Sequence, residues 1–160
     1  MQRKTKKNDL SSQNFDGSFC HVGIVVSRFH NDVTGKLLEG ALEILRKNRV
    51  KEENIKVIFV PGSFEIPFAC TFLARSKKYH ALIALGCVIK GKTDHYQYIA
   101  SETTRGIMNV MLQYNIPVGF GVLTVDTLSK AEERAGKKCN WGEKAALAAL
   151  ELALLSSEKS

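Results

Sequence analysis

Two rhythms of apolar residues alternate along the chain. Short, almost uninterrupted apolar runs are separated by longer stretches in which apolar positions recur every three or four residues. The first rhythm suits strands covered on both faces, the second helices with one face on a core. Residues 20–29, rich in Val and Ile, read as the first strand. A helix over 33–48 follows, capped by Asn31 or Asp32. It carries Val33, Leu37, Leu38, Ala41, Leu42 and Leu45 on one side, with Lys36, Glu39, Glu43, Arg46 and Lys47 between them. Residues 55–60 give a second strand closed by Pro61-Gly62. Pro67 then lies early in a helix reaching about Lys77, where its missing N–H is tolerated.

The third strand, 81–89, is the most continuous apolar run, and Gly91 ends it. Thr93 or Asp94 caps a long helix to about Tyr114, with Tyr98, Ile99, Ile107, Val110, Met111 and Tyr114 tracing its apolar face. Residues 117–125 form a fourth strand. A short helix over 129–134 has a Ser129/Glu132 capping box and Gly136 as its stop, and an Ala- and Leu-rich helix over 142–155 closes the chain. Strands alternating with helices define βαβ units around a parallel sheet. The expected class is α/β: a three-layer α/β/α sandwich with a central four-stranded parallel sheet. Residues 1–18 are expected to form a flexible basic and polar tail, and 19–160 a single domain.

Composition narrows the functional classes. At 160 residues, 44% hydrophobic and 24% charged, the chain has the proportions of a soluble globular protein. No apolar run approaches the roughly 20 residues of a membrane span. Of the net charge of +7, four positives (Arg3, Lys4, Lys6 and Lys7) lie in the first seven residues, leaving +3 for the rest. That start resembles a transit peptide only weakly, and no apolar stretch follows to make a secretory signal. A mildly basic body without a basic, aromatic-laced stripe argues against nucleic acid as partner and suits small anionic ligands. Cys20, Cys70, Cys87 and Cys139 contain no C-x-x-C pair, and His21, His30, His80 and His95 fall at no ligand spacing. Free thiols in a reducing, cytoplasmic compartment are expected, with no metal.

In an open parallel sheet the ligand crevice lies beyond the carboxyl ends of the strands. The four expected ends carry unusual chemistry: Arg28-Phe29-His30, Gly62-Ser63-Phe64-Glu65, Gly91-Lys92-Thr93-Asp94-His95, and Thr124-Val125-Asp126-Thr127. At the third, Gly91 frees the backbone to approach an anion, and Lys92, Thr93 and the first helical N–H groups suit phosphate. His95 beside them is placed to move a proton near neutral pH, although a histidine at a helix start is ordinarily idle and exposed. Glu65 reads as an acid or base, a hydroxyl-binding carboxylate, or simply a favourable charge in a first helical turn. Phe29 and Phe64 are either core residues or rings that stack on a planar heterocycle. Arg134, in a last helical turn, is ordinarily a solvated charge, but its fork suits phosphate if that helix end meets a ligand site on a neighbouring subunit.

A competing pattern is G-C-V-I-K-G-K-T at 86–93, which matches the phosphate-loop spacing, followed by a strand ending in Asp126. Against it, Gly86 is embedded in an apolar run where the loop should begin.

Five ordered motifs are far more specific than that single octet: S-R-F at 27–29, V-P-G-S-F-E-I-P at 60–67, A-L-G-C-V-I-K-G-K-T-D-H-Y-Q-Y-I at 84–99, G-V-L-T-V-D-T at 121–127 and A-E-E-R-A-G at 131–136. With them the chain resembles the 6,7-dimethyl-8-ribityllumazine synthase family, also called the riboflavin synthase beta-chain family, over roughly residues 19–155. The resemblance implies a flavodoxin-like sandwich. It also implies condensation of 5-amino-6-(D-ribitylamino)uracil with 3,4-dihydroxy-2-butanone 4-phosphate, releasing phosphate and water, without metal or organic cofactor.

Carried over by position, Phe29 stacks on the pyrimidine, Ser63, Phe64 and Glu65 hold the ribityl chain and ring edge, and Cys87, Val88 and Ile89 line the ring pocket. Lys92 and Thr93 meet the phosphate, His95 is the general acid and base, and Lys138 joins the substrate-binding set. Phe120 and Arg134 come from the neighbour in a homopentamer, Arg134 pairing with phosphate. Riboflavin synthase is an implied partner. His30 and Lys92 depart from the commoner family residues. The tract at 137–142 resembles the family's bend less one residue, which bears on assembly into icosahedral shells. A phosphate-loop nucleotide-binding protein and a noncatalytic flavin-binding or shell module remain the alternatives.

Overall fold

In the computed structural model, which describes residues 14–158, four strands run in parallel: β1 (Val22–Ser27), β2 (Ile55–Val60), β3 (Ala81–Ile89) and β4 (Val118–Val125). Five helices connect and follow them: α1 (Asn31–Lys47), α2 (Ile66–Arg75), α3 (His95–Tyr114), α4 (Leu128–Ala135) and α5 (Trp141–Ser157). The strand order is β2-β1-β3-β4, with Val22 opposite both Ile55 and Ala81, and Leu82 opposite Val118. This is the flavodoxin-like doubly wound order.

The period of two along each strand divides the core. Val22, Ile24, Val26, Ile83, Leu85 and Leu123 face α1, α4 and α5. Val25, Leu82, Ala84, Val88 and Val122 face α2 and α3. The expected three layers are therefore present. α5 lies close against β4 because Gly119 has no side chain; a β-carbon there would meet the backbone carbonyl of Ala145.

Local chemistry sets most boundaries. α2 follows a single 3₁₀ turn, Ser63–Glu65, and takes Pro67 in its first turn. At the start of α5, the Asn140 Oδ1 accepts from the N–H groups of Gly142 (2.8 Å) and Glu143 (3.2 Å). Its Nδ2 donates to the carbonyls of Lys36 in α1 and Ala135 in α4, both at 3.0 Å. One side chain therefore joins three helices.

Several expected details differ. Neither Asn31 nor Asp32 caps α1: the cap position is His30, in the left-handed region with φ 58°, whose carbonyl accepts from Val33 and Thr34 N–H. The sharp exit from β1 sets this turn one residue early. The Ser129/Glu132 box does not form; Thr127, nearer the strand end, caps α4 by accepting from Lys130 N–H. Tyr98, expected on the apolar face of α3, is 71% exposed, and Thr103 occupies a buried position instead. Contacts also begin ahead of residue 19, since Phe15 packs on the core and its N–H donates to Asn48 Oδ1 at 2.6 Å. The basic residues Arg3, Lys4, Lys6 and Lys7 lie outside the described residues.

Candidate active site

Because all strands are parallel, their carboxyl ends share one rim, and a cavity of about 350 Å³ opens there. Beyond the strands proper the β1–β2 ladder continues: Arg28 N–H donates to the Val60 carbonyl (2.8 Å) and Phe29 N–H to the Pro61 carbonyl (3.1 Å). This ladder carries Phe29 and the 62–65 turn to the cleft as a pair of facing walls. Phe29 and Phe64 are both exposed, at 68% and 57%, which settles their alternatives in favour of surface rings rather than core.

The turn itself is internally braced. Glu65 Oε2 accepts from the Gly62 N–H at 3.0 Å, as a carboxylate in a first helical turn does, and the carboxylate stands at the cleft. Ser63 is buried, with its carbonyl accepting from Thr103 Oγ1 of α3 at 3.1 Å. Cys87, Val88 and Ile89, the last three residues of β3, form a mostly apolar lining. Burial pushes the Cys87 thiol up to about 11, so it stays protonated and serves as wall rather than nucleophile.

Thr93 and His95 close the cleft at the start of α3, where free helical N–H groups gather. Thr93 Oγ1 accepts weakly from His95 N–H, at 3.4 Å. His95 is solvent-exposed at the edge of the cleft, within reach of anything bound there.

Four expected residues are not cleft-lining within one chain: Lys92, Phe120, Arg134 and Lys138. Lys92 is exposed next to Thr93. Phe120 stands 41% exposed on edge strand β4. Arg134 reaches back to the Lys130 carbonyl (3.2 Å), and Lys138 is exposed beyond α4. Asp126, at the fourth strand end, is engaged by Lys130, whose hydrogen bond holds its carboxyl below the usual range. Residues not singled out as ligand contacts also line the cleft: His30, edge-on to Phe29 with ring centroids 5.0 Å apart, and Tyr96 and Ile99 on α3. Ile99 follows His95 by four positions, a helical spacing that would have indicated it; Tyr96, one position on, had no such signal.

The phosphate-loop alternative fails on geometry. Gly86 lies within β3, paired with Val122, so residues 86–89 are strand rather than loop. Among the described residues no group of three or more His, Cys, Asp or Glu gathers as metal ligands, and no helix is long and apolar enough to cross a membrane.

Fold and site define a doubly wound α/β protein with a mostly apolar cleft at its strand ends, a histidine and a helix N-terminus at one side, of a shape suited to a small ligand. Over residues 20–157 the chain matches the family model described as 6,7-dimethyl-8-ribityllumazine synthase, and it belongs to that family. The family is one of transferase enzymes acting on small molecules to form lumazine in riboflavin biosynthesis.

Proposed function

We propose that the protein condenses 5-amino-6-(D-ribitylamino)uracil with 3,4-dihydroxy-2-butanone 4-phosphate to 6,7-dimethyl-8-ribityllumazine, phosphate and water. The observation that carries this reading is the single cleft that gathers Phe29, the 63–65 turn, the end of β3, Thr93 and His95. Rings at the rim suit a planar pyrimidine, and the polar turn suits a ribityl chain. The helix start at Thr93, with Lys92 beside it, suits a phosphate.

The substrate amine is itself the nucleophile. It attacks the ketone to give an imine with loss of water; phosphate then leaves, and the second nitrogen closes the ring with loss of a further water. His95 accepts the amine proton and returns protons to departing oxygens. Orientation of two substrates and stabilisation of the leaving phosphate supply the larger share of the acceleration.

A homopentamer completes the site. Phe68, Phe72 and Leu112 are 79%, 66% and 75% exposed on α2 and α3, more apolar surface than helices facing water ordinarily show. A second copy covering such surface brings its own Phe120, Arg134 and Lys138 within reach of the neighbour's cleft, with Arg134 on the phosphate. Four free thiols, three of them buried, accord with a cytoplasmic setting. Riboflavin synthase, which consumes the product, is the proposed partner, and the 137–142 tract governs whether pentamers join into shells.

The test is a mixed assay of both substrates, following lumazine fluorescence and phosphate release, with sedimentation velocity on the same sample. Equal amounts of both products above the spontaneous rate, from a pentameric species, are expected. A folded pentamer that accelerates nothing refutes the catalytic reading and favours a noncatalytic flavin-binding module, for which flavin binding is then measured.

A further inference from the structure

Gly86 sits in mid-strand, where a glycine weakens a strand and marks a close approach. What approaches it is side chain rather than backbone. A β-carbon at this position would stand 2.6 Å from Ser63 Oγ, 3.0 Å from Ile66 Cδ1 and 3.4 Å from Ser27 Oγ. The Ser27 and Ser63 hydroxyls are both buried without a hydrogen-bond partner among the described residues, an arrangement that costs stability. Their main chains, in contrast, are held: the Ser27 carbonyl accepts from Thr34 Oγ1 at 2.8 Å, the Ser63 carbonyl from Thr103 Oγ1 at 3.1 Å. Each serine is pinned by a buried threonine from an opposite helical layer while its hydroxyl stays uncommitted. Ser63 lines the cleft and Ser27 does not.

We propose that Gly86 is a positioning residue for ligand recognition, acting through Ser63. Its missing side chain leaves the space in which the Ser63 hydroxyl stands, and this keeps that hydroxyl available to a hydroxyl-bearing ligand in the cleft. The inference rests on the reading of Ser63 as a contact of the polyol-bearing substrate. A methyl group at position 86 meets only the far ends of flexible side chains. Ser63 turns about χ1 and Ile66 yields, so the fold is kept and recognition is lost.

A double-mutant cycle on the full chain tests this. Gly86→Ala is expected to raise KM for the ribityl-bearing substrate about 3- to 10-fold, the worth of one neutral hydrogen bond, with KM for the phosphate-bearing substrate unchanged. Ser63→Ala has a similar effect, and the double variant is no worse than Ser63→Ala alone. Effects that multiply in the double variant overturn the proposal. Absence of turnover in the wild type refutes the functional reading instead, and thermal unfolding of the same four proteins then tests the coupling. A smaller Tm loss from Gly86→Ala in the Ser63→Ala background than in the wild type supports it; an equal loss overturns it. Should Gly86→Ala alone fail to fold, rescue by Ser63→Ala supports the coupling, and failure of the double variant to fold overturns it.

Discussion

Asn140 concentrates four hydrogen bonds in one buried side chain, and its removal has a calculable cost. In Asn140→Ala, α5 loses its N-cap, and the carbonyls of Lys36 and Ala135 lose their donors. The cap is worth about 1 kcal/mol, and each carbonyl left without its donor about 1 kcal/mol more. The expected loss is therefore about 3 kcal/mol, or roughly 6 to 12 °C in Tm for a chain of this length. Asn140→Ser keeps an acceptor for the cap, but its shorter side chain does not reach the two carbonyls, so about two-thirds of that loss is expected. The assay is urea unfolding followed by circular dichroism at one fixed protein concentration, because assembly adds to apparent stability. A loss below about 1 kcal/mol for the alanine variant, or equal losses for the two, refutes the bridging account. The Ala135 carbonyl ends the helix that bears Arg134, so the same variant is expected to weaken the phosphate-bearing substrate as well.

Three further outcomes follow from the site and the core. His95→Ala is expected to lower kcat about 100-fold or more with Tm unchanged, since the residue is exposed; a Tm loss accompanying the kinetic defect contradicts the assignment. Arg134→Ala is expected to raise KM for the phosphate-bearing substrate roughly 10- to 100-fold, the worth of a hydrogen bond to a charged group, whereas an equal rise for both substrates contradicts it. Burial pushes the Cys20, Cys70 and Cys87 thiols from their ordinary 9.0 up to about 11, 12 and 11. Unfolded chains therefore release these protons first as pH rises. Stability is expected to hold below about pH 9 and to fall between about 9 and 11, measured by urea midpoints across that range; a rise over that interval contradicts the burial account.

Much of this architecture was readable in the residues themselves. β3 runs from Ala81 to Ile89 as its unbroken apolar pattern predicts, because a strand covered on both faces has no polar position to blur its ends. β1 is shorter than predicted: Cys20 and His21 precede it, and Arg28 and Phe29 follow it as an extension of its ladder with β2, since residue type alone does not mark where regular pairing begins and ends. Helix starts were less legible. Thr127 and Ser129 are both good caps two positions apart, and the end of β4 decides between them. The cleft's near side was visible because a parallel sheet sends every motif at a strand end to one rim. Tyr98, Phe68 and Phe72 show the opposite limit: helical spacing reveals that an apolar residue recurs, but not which surface covers it.

The continuation of the β1–β2 ladder through Arg28 and Phe29 has a bearing on how this cleft can diversify. The main chains beneath its two walls are held about 4.8 Å apart by backbone hydrogen bonds rather than by loop packing. Inserting a residue within either paired segment, 28–29 or 60–61, would throw the ladder out of step there, and with it the wall that follows. Accommodation of a larger or smaller ring is thereby channelled into exchange of side chains at Phe29 and Phe64, whose exposed rings can change size without disturbing the sheet. A lineage adapting this site to a new heterocycle would vary in residue identity at the rim while conserving its length.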